Sequence, residues 1–155
     1  MRHYLLALLI GGALLAAPPP AAHAAAPVES KVPSATLQEI LIKTTLLTLN
    51  DANVTGNYAV LHAKLAKPFR EQFSPDQLKQ AFKSFADQKI DWQMIAVKTP
   101  VTTTEATIDG RGALLLRGYF DTAPNRLTYD LDFYPSEGEW KPLKLNVRVR
   151  PPDEK

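Results

Sequence analysis

One histidine, a tyrosine one helical turn before it, and a few strand-borne carboxylates are the side chains in this chain with potential for acid–base chemistry. His62 follows Tyr58 by four residues, so a helix places both on one stripe with Leu61 and Leu65. Imidazole titrates near neutrality, and His62 in a pocket could move a proton with Tyr58 as hydrogen-bond donor, the pairing a small lyase or isomerase would need. The plainer role is a histidine at the edge of a helix face, hydrogen-bonded or partly wet. His62 is the one histidine beyond residue 24, and a single imidazole builds neither an ordinary histidine metal site nor a Ser-His-Asp triad. The sequence has no cysteine, which removes disulfides, zinc thiolates and thiol nucleophiles. No metal or cofactor is expected.

Lyase and isomerase chemistry also calls for a carboxylate or histidine base in apolar surroundings. Asp91, Asp130 and Asp132 fall on the polar phase of their expected strands, turned away from the apolar stripe, where Lys144 and Arg148 can pair with them. Asp109 and Asp121 fall at turns. Tyr58, His62, Trp92, Tyr119, Tyr129 and Trp140, with Phe133, could line an aromatic ligand cavity. Large side chains are also what the core beneath a sheet demands. Asn53-Val54-Thr55 matches a glycosylation acceptor.

The elements that must position these residues read most clearly toward the C-terminus. From Arg126 to Tyr134 the apolar Leu127, Tyr129, Leu131 and Phe133 alternate with polar residues, a half-buried strand. Glu139 to Val149 repeats the pattern, but Trp140 sits on the opposite parity, which requires one extra residue, expected at Lys141-Pro142. Pro135 to Gly138 forms the hairpin, placing Leu131 near Leu143 and Asp130 near Lys144. Ala113 to Asp121 reads as another strand, with Gly118 at a bend or close approach. Val101 to Gly110 reads as a short strand or ordered loop, and Ile90 to Val97 as a first strand ended by Pro100.

Helices precede the strands. The first starts at Ser34 or at a Thr36-x-x-Glu39 capping box and ends in Asn50 to Asn53. A second runs from about Thr55 to Ala66 and stops at Pro68. The third carries Ser74 as N-cap, Pro75 at the first position, Gln77 as reciprocal partner, a Phe73–Leu78 staple, and a buried stripe of Leu78, Ala81, Phe82 and Phe85.

Residues 1–24 combine Arg2, an apolar run from Leu5 to Ala17 and an Ala22-His23-Ala24 cleavage pattern, which predicts a secretory signal peptide and a periplasmic or secreted product without a membrane anchor after cleavage. Residues 25–33 form a lead-in, 34–150 one domain, and 151–155 a tail. The 18 basic residues less Arg2 stand against 16 acidic ones, and no basic run or aromatic-basic stripe points to nucleic acid.

Helices followed by antiparallel strands give an α+β class, with the N-terminal helices packed on one face of a curved antiparallel sheet. The Leu49–Tyr58 and Phe69–Leu78 stretches, Gly118-Tyr119-Phe120 and Gly138-Glu139-Trp140-Lys141 resemble exported members of the NTF2-like (SnoaL-like, cystatin-like cone) superfamily of unassigned function. That resemblance implies a sheet wrapped around helices to form a conical pocket, often in a homodimer. It carries over no catalytic motif. The expectation is an exported, non-catalytic binding or interaction module holding a small apolar ligand or a protein partner. The alternatives are a small lyase or isomerase using His62 with Tyr58, and a dimeric scaffold subunit, any homodimer meeting through the outer face of the sheet.

Overall fold

The computed structural model describes residues 31–151; the expected signal peptide, most of the lead-in and the last residues of the tail lie outside them. The fold is α+β: α1 (Ala35–Thr55), α2 (Ala59–Lys64), α3 (Lys67–Arg70), α4 (Pro75–Ala81), α5 (Lys83–Asp87) and a 3₁₀ helix (Gln93–Val97) precede β1 (Val101–Ile108), β2 (Leu114–Thr122), β3 (Asn125–Ser136) and β4 (Glu139–Arg150). The strands form one antiparallel meander in chain order, so β1 and β4 are its edges. No described helix is long and apolar enough to cross a membrane.

Strand parity decides which face meets the helices. Leu114, Leu116, Phe120, Leu127, Tyr129, Leu131, Phe133 and Val147 point one way and join Ile42, Leu46, Leu49, Leu61, Leu65 and Leu78 in a continuous core. Gly118 sits in this row opposite Tyr129, where a Cβ would collide with the Val101 carbonyl oxygen and the Tyr129 hydroxyl. Glycine is required there for close approach, as the sequence suggested.

β4 confirms the parity argument and corrects its details. Asp132 pairs with Lys144 and Phe133 with Pro142, so the extra residue is Leu143, one position beyond the expected Lys141-Pro142. The register differs by two from the expected one: Leu131 faces Leu145, and Asp130 faces Asn146. The bulge still returns Trp140 and Pro142 to the face of Phe133. β1 is a true strand, with two irregularities against β2, between Thr102 and Thr104 and between Thr104 and Thr107.

The helices depart further from expectation. Ser34 caps α1, its Oγ accepting from the Leu37 N–H at 3.3 Å, while Glu39 pairs with Lys43 at 2.7 Å instead of closing a capping box on Thr36. The helix does not end at Asn50–Asn53. Both asparagines are buried, Asn50 with partners around Trp92 and Asn53 accepting from the Tyr58 hydroxyl, and Gly56, at φ 70°, makes the stop. The second helix shrinks to Ala59–Lys64, with the Asn57 Oδ1 accepting from the Ala59 N–H at 3.0 Å. Pro68 starts α3 rather than only ending α2, because a proline in the first turn needs no N–H partner. The Ser74–Gln77 box forms with both hydrogen bonds, Ser74 N–H to Gln77 Oε1 at 2.8 Å and Gln77 N–H to Ser74 Oγ at 3.2 Å. Phe73 packs on Phe69 at 4.7 Å, and the expected third helix breaks at Phe82.

The largest correction is Ile90–Val97, which is no strand. Asn50 of α1 reaches into this segment, its Oδ1 accepting from the Trp92 N–H at 3.0 Å and its Nδ2 donating to Asp91 Oδ1 at 2.8 Å. Asp91 Oδ1 also accepts from the Gln93 N–H, and the Trp92 indole N–H donates to the Leu46 carbonyl, each at 2.9 Å. Side chains thus take the backbone donors a sheet partner would have used, and the chain turns into the 3₁₀ helix. The alternation in Asp91–Ala96 reflects Trp92 and Ile95 entering the core.

Candidate functional site

A groove of about 410 Å³ opens between α1, α2 and the start of β4. Leu41, Thr44, Thr45 and Thr48 follow i, i+3, i+4, i+7 spacing and form the α1 wall. Leu61 and Lys64 come from α2, Phe133 from β3, and Trp140 and Pro142 from β4. Thr44 donates to the Ile40 carbonyl and Thr48 to the Thr44 carbonyl, both at 2.7 Å, so these hydroxyls are anchored to their own helix. Lys64 Nζ donates to Thr48 Oγ1 at 3.0 Å across the groove.

The far end is fixed by the β3–β4 hairpin. The Ala66 N–H donates to the Pro142 carbonyl at 2.8 Å and the Lys67 N–H to Ser136 Oγ at 3.1 Å. Arg70 grips Glu137 with two bonds, at 3.0 and 3.1 Å, and Lys141 Nζ lies 2.5 Å from Glu137 Oε2. The Arg70 guanidinium, then the Lys141 ammonium, hold the Glu137 carboxyl down at about 2. Trp140 therefore stands on a braced turn.

A second hollow of about 410 Å³ lies on the opposite face of the sheet, among Thr104 and Thr107 of β1, Leu115 and Arg117 of β2, and Thr128 and Asp130 of β3. Arg117 fills its floor, its Nε 2.5 Å from Asp130 Oδ1 in an ion pair, its Nη2 donating to Asp132 at 2.6 Å and its Nη1 to the Leu131 carbonyl at 2.7 Å. Lys144 reaches Asp130 at 2.7 Å. Asp130 was expected to pair on this face and does. Asp132 is not solvated as expected: it is 6% exposed and bound to Arg117.

Of the six expected ligand-binding residues, Trp140 lines the groove. Tyr58 is buried, its hydroxyl donating to Asn53 Oδ1, and burial pushes its pKa up. Trp92 is packed edge-on to Phe85 at 5.3 Å. Tyr129 is buried beside Phe120, and desolvation raises its hydroxyl to about 12. Tyr119 lies on the outer face beneath the Arg126 guanidinium, 3.9 Å away. His62 is half-buried with Nε2 3.2 Å from the Arg70 carbonyl, bracing α2 against α3. Tyr58 is thus the N-cap of α2 and His62 lies within it, and neither lines the groove. Among the described residues no cluster of His, Asp and Glu could hold a metal. Asn53, 4% exposed and bonded to Tyr58, is unavailable to a glycosyltransferase in the folded domain.

The sequence reading missed the threonine stripe of α1 and Lys64. The stripe's spacing was visible, but the groove also requires Trp140 to be brought to that side by the bulge at Leu143. No protein-family model, curated protein or solved structure matches the chain.

Proposed function

We propose that the protein is an exported, non-catalytic binding module that holds a small, largely apolar molecule in the groove between α1, α2 and the β3–β4 hairpin. The observation that carries this reading is the groove's wall: half-buried Leu41 and Trp140, over buried Leu61, Phe133 and Pro142, border about 410 Å³, within the roughly 300–1,000 Å³ of small-molecule sites. The export half rests on the leader pattern of residues 1–24. The resemblance to NTF2-like proteins, in which a curved sheet and helices enclose a conical pocket, agrees with a ligand held between helix and sheet. No observation favours the lyase or isomerase alternative, because His62 and Tyr58 are each engaged by structural partners outside the groove.

The test is titration with a neutral fluorescent lipophile such as N-phenyl-1-naphthylamine. Saturable binding, with energy transfer from tryptophan that Trp140→Phe reduces and Trp92→Phe does not, is expected. Absence of saturable binding, or transfer that depends on Trp92 instead, overturns the reading.

A further inference from the structure

We infer that the groove selects molecules ending in one carboxylate, an acid head on an apolar body; this rests on the groove being the ligand site. The inference comes from how the charges around it are used. Two ammonium groups and one carboxylate line the groove: Lys64, Lys141 and Glu139. Lys141 is already engaged by Glu137, which it shares with Arg70. Lys64 takes part in none of the ion pairs among the described residues. Its one hydrogen bond is to Thr48, and an ammonium has three donors, so two are left for a ligand.

Lysine in the last turn of a helix is favoured by the helix dipole, which accounts for its presence in α2 but not for its turning onto the threonine wall. The Thr48 hydroxyl that accepts from Lys64 is itself fixed by donating to the Thr44 carbonyl, so the ammonium is held at the groove wall. The opposing charge, Glu139, is exposed beside the hairpin turn and pairs with no cation among the described residues. Among the described residues Lys64 is thus the groove cation that no carboxylate engages, and one such charge beside an apolar wall fits a monoanion. A phosphate dianion would call for more, and no arginine lines the groove.

The test uses the full-length protein, carrying bound N-phenyl-1-naphthylamine, and three ten-carbon competitors at neutral pH: decanoate, decan-1-ol and decylamine. Decanoate is expected to displace the probe at about tenfold lower concentration than decanol, the scale of one charge-assisted hydrogen bond at a partly wet site. Lys64→Met should bring the two within about twofold, read as the ratio of the two competitors so that any change in probe affinity cancels, and Lys64→Arg should keep the preference. Decanol equal to decanoate, or decylamine binding most tightly, overturns the carboxylate inference and leaves the groove reading standing. Failure of the wild-type protein to bind the probe at all removes both.

Discussion

The two hollows on either side of the sheet have the same volume, about 410 Å³, but their cations are paired differently. On the helix side the walls are leucine, phenylalanine, tryptophan and threonine, and the ammonium of Lys64 is held by a hydroxyl. On the outer side Arg117 pairs with two aspartates and donates to the Leu116 and Leu131 carbonyls, and Lys144 reaches Asp130. A ligand entering the second hollow meets cations already joined to carboxylates; one entering the first meets an ammonium held by a hydroxyl. Volume alone therefore does not make a binding site, and the difference lies in which cations already have a carboxylate partner.

The sharpest way to break this comparison is Arg117→Met. If the outer network is a structural clamp, the change strands Asp132 at low exposure and destabilises the fold by about 3 kcal/mol in denaturant titration, without affecting probe binding in the groove. A stable variant with lost binding would reverse the roles of the two faces.

Gly118→Ala tests whether the sheet between the hollows is packed shut. A methyl group there collides with the Val101 carbonyl and the Tyr129 hydroxyl, and the strain should destabilise by roughly 1–3 kcal/mol. Amide exchange of β1 should rise most, because edge strand β1 can yield and buried Tyr129 cannot.

Trp140→Ala separates binding from stability. Trp140 is half-buried, so its loss should cost about 1 kcal/mol, well under the 3–5 of a buried tryptophan, while abolishing probe binding. Equal loss of both in thermal melts and titrations would make Trp140 a core residue.

The smallest effect concerns the brace under Trp140. Glu137 titrates at about 2 rather than its ordinary 4.5, chiefly through Arg70, so its stabilising contribution is complete above pH 4.5 and fades as pH falls toward 2. Carboxyl NMR should place the midpoint there and show Arg70→Ala raising it. Solvent exposure keeps the accompanying change in stability small.

How much of this was legible in the sequence depended on whether local pattern or distant partners decided the geometry. β3, β4 and the Ser74 cap were readable because strict alternation and a four-residue cap are local signals. Ile90–Val97 was misread because Asn50, some forty residues earlier, captures its backbone, and nothing in the segment announces that. Asn50 looks like a helix stop for the same reason: buried asparagine with tertiary partners resembles turn asparagine in sequence. The groove was half legible. Trp140's parity predicted a bulge, but the threonine stripe joins it only through the packing of α1 and α2 against the hairpin.

β1 has a consequence for the protein in solution. Most of its residues are exposed, and as an edge it offers unpaired backbone groups of the kind that recruit strands from other molecules. Its two register irregularities, within six residues of one another, interrupt the regular spacing an incoming strand would need. At the opposite edge, α2's exit segment covers the start of β4 through the Ala66–Pro142 bond. Crowded copies of this chain should therefore resist joining edge to edge into an extended sheet, a form of protection built from misalignment at one margin and a covering segment at the other.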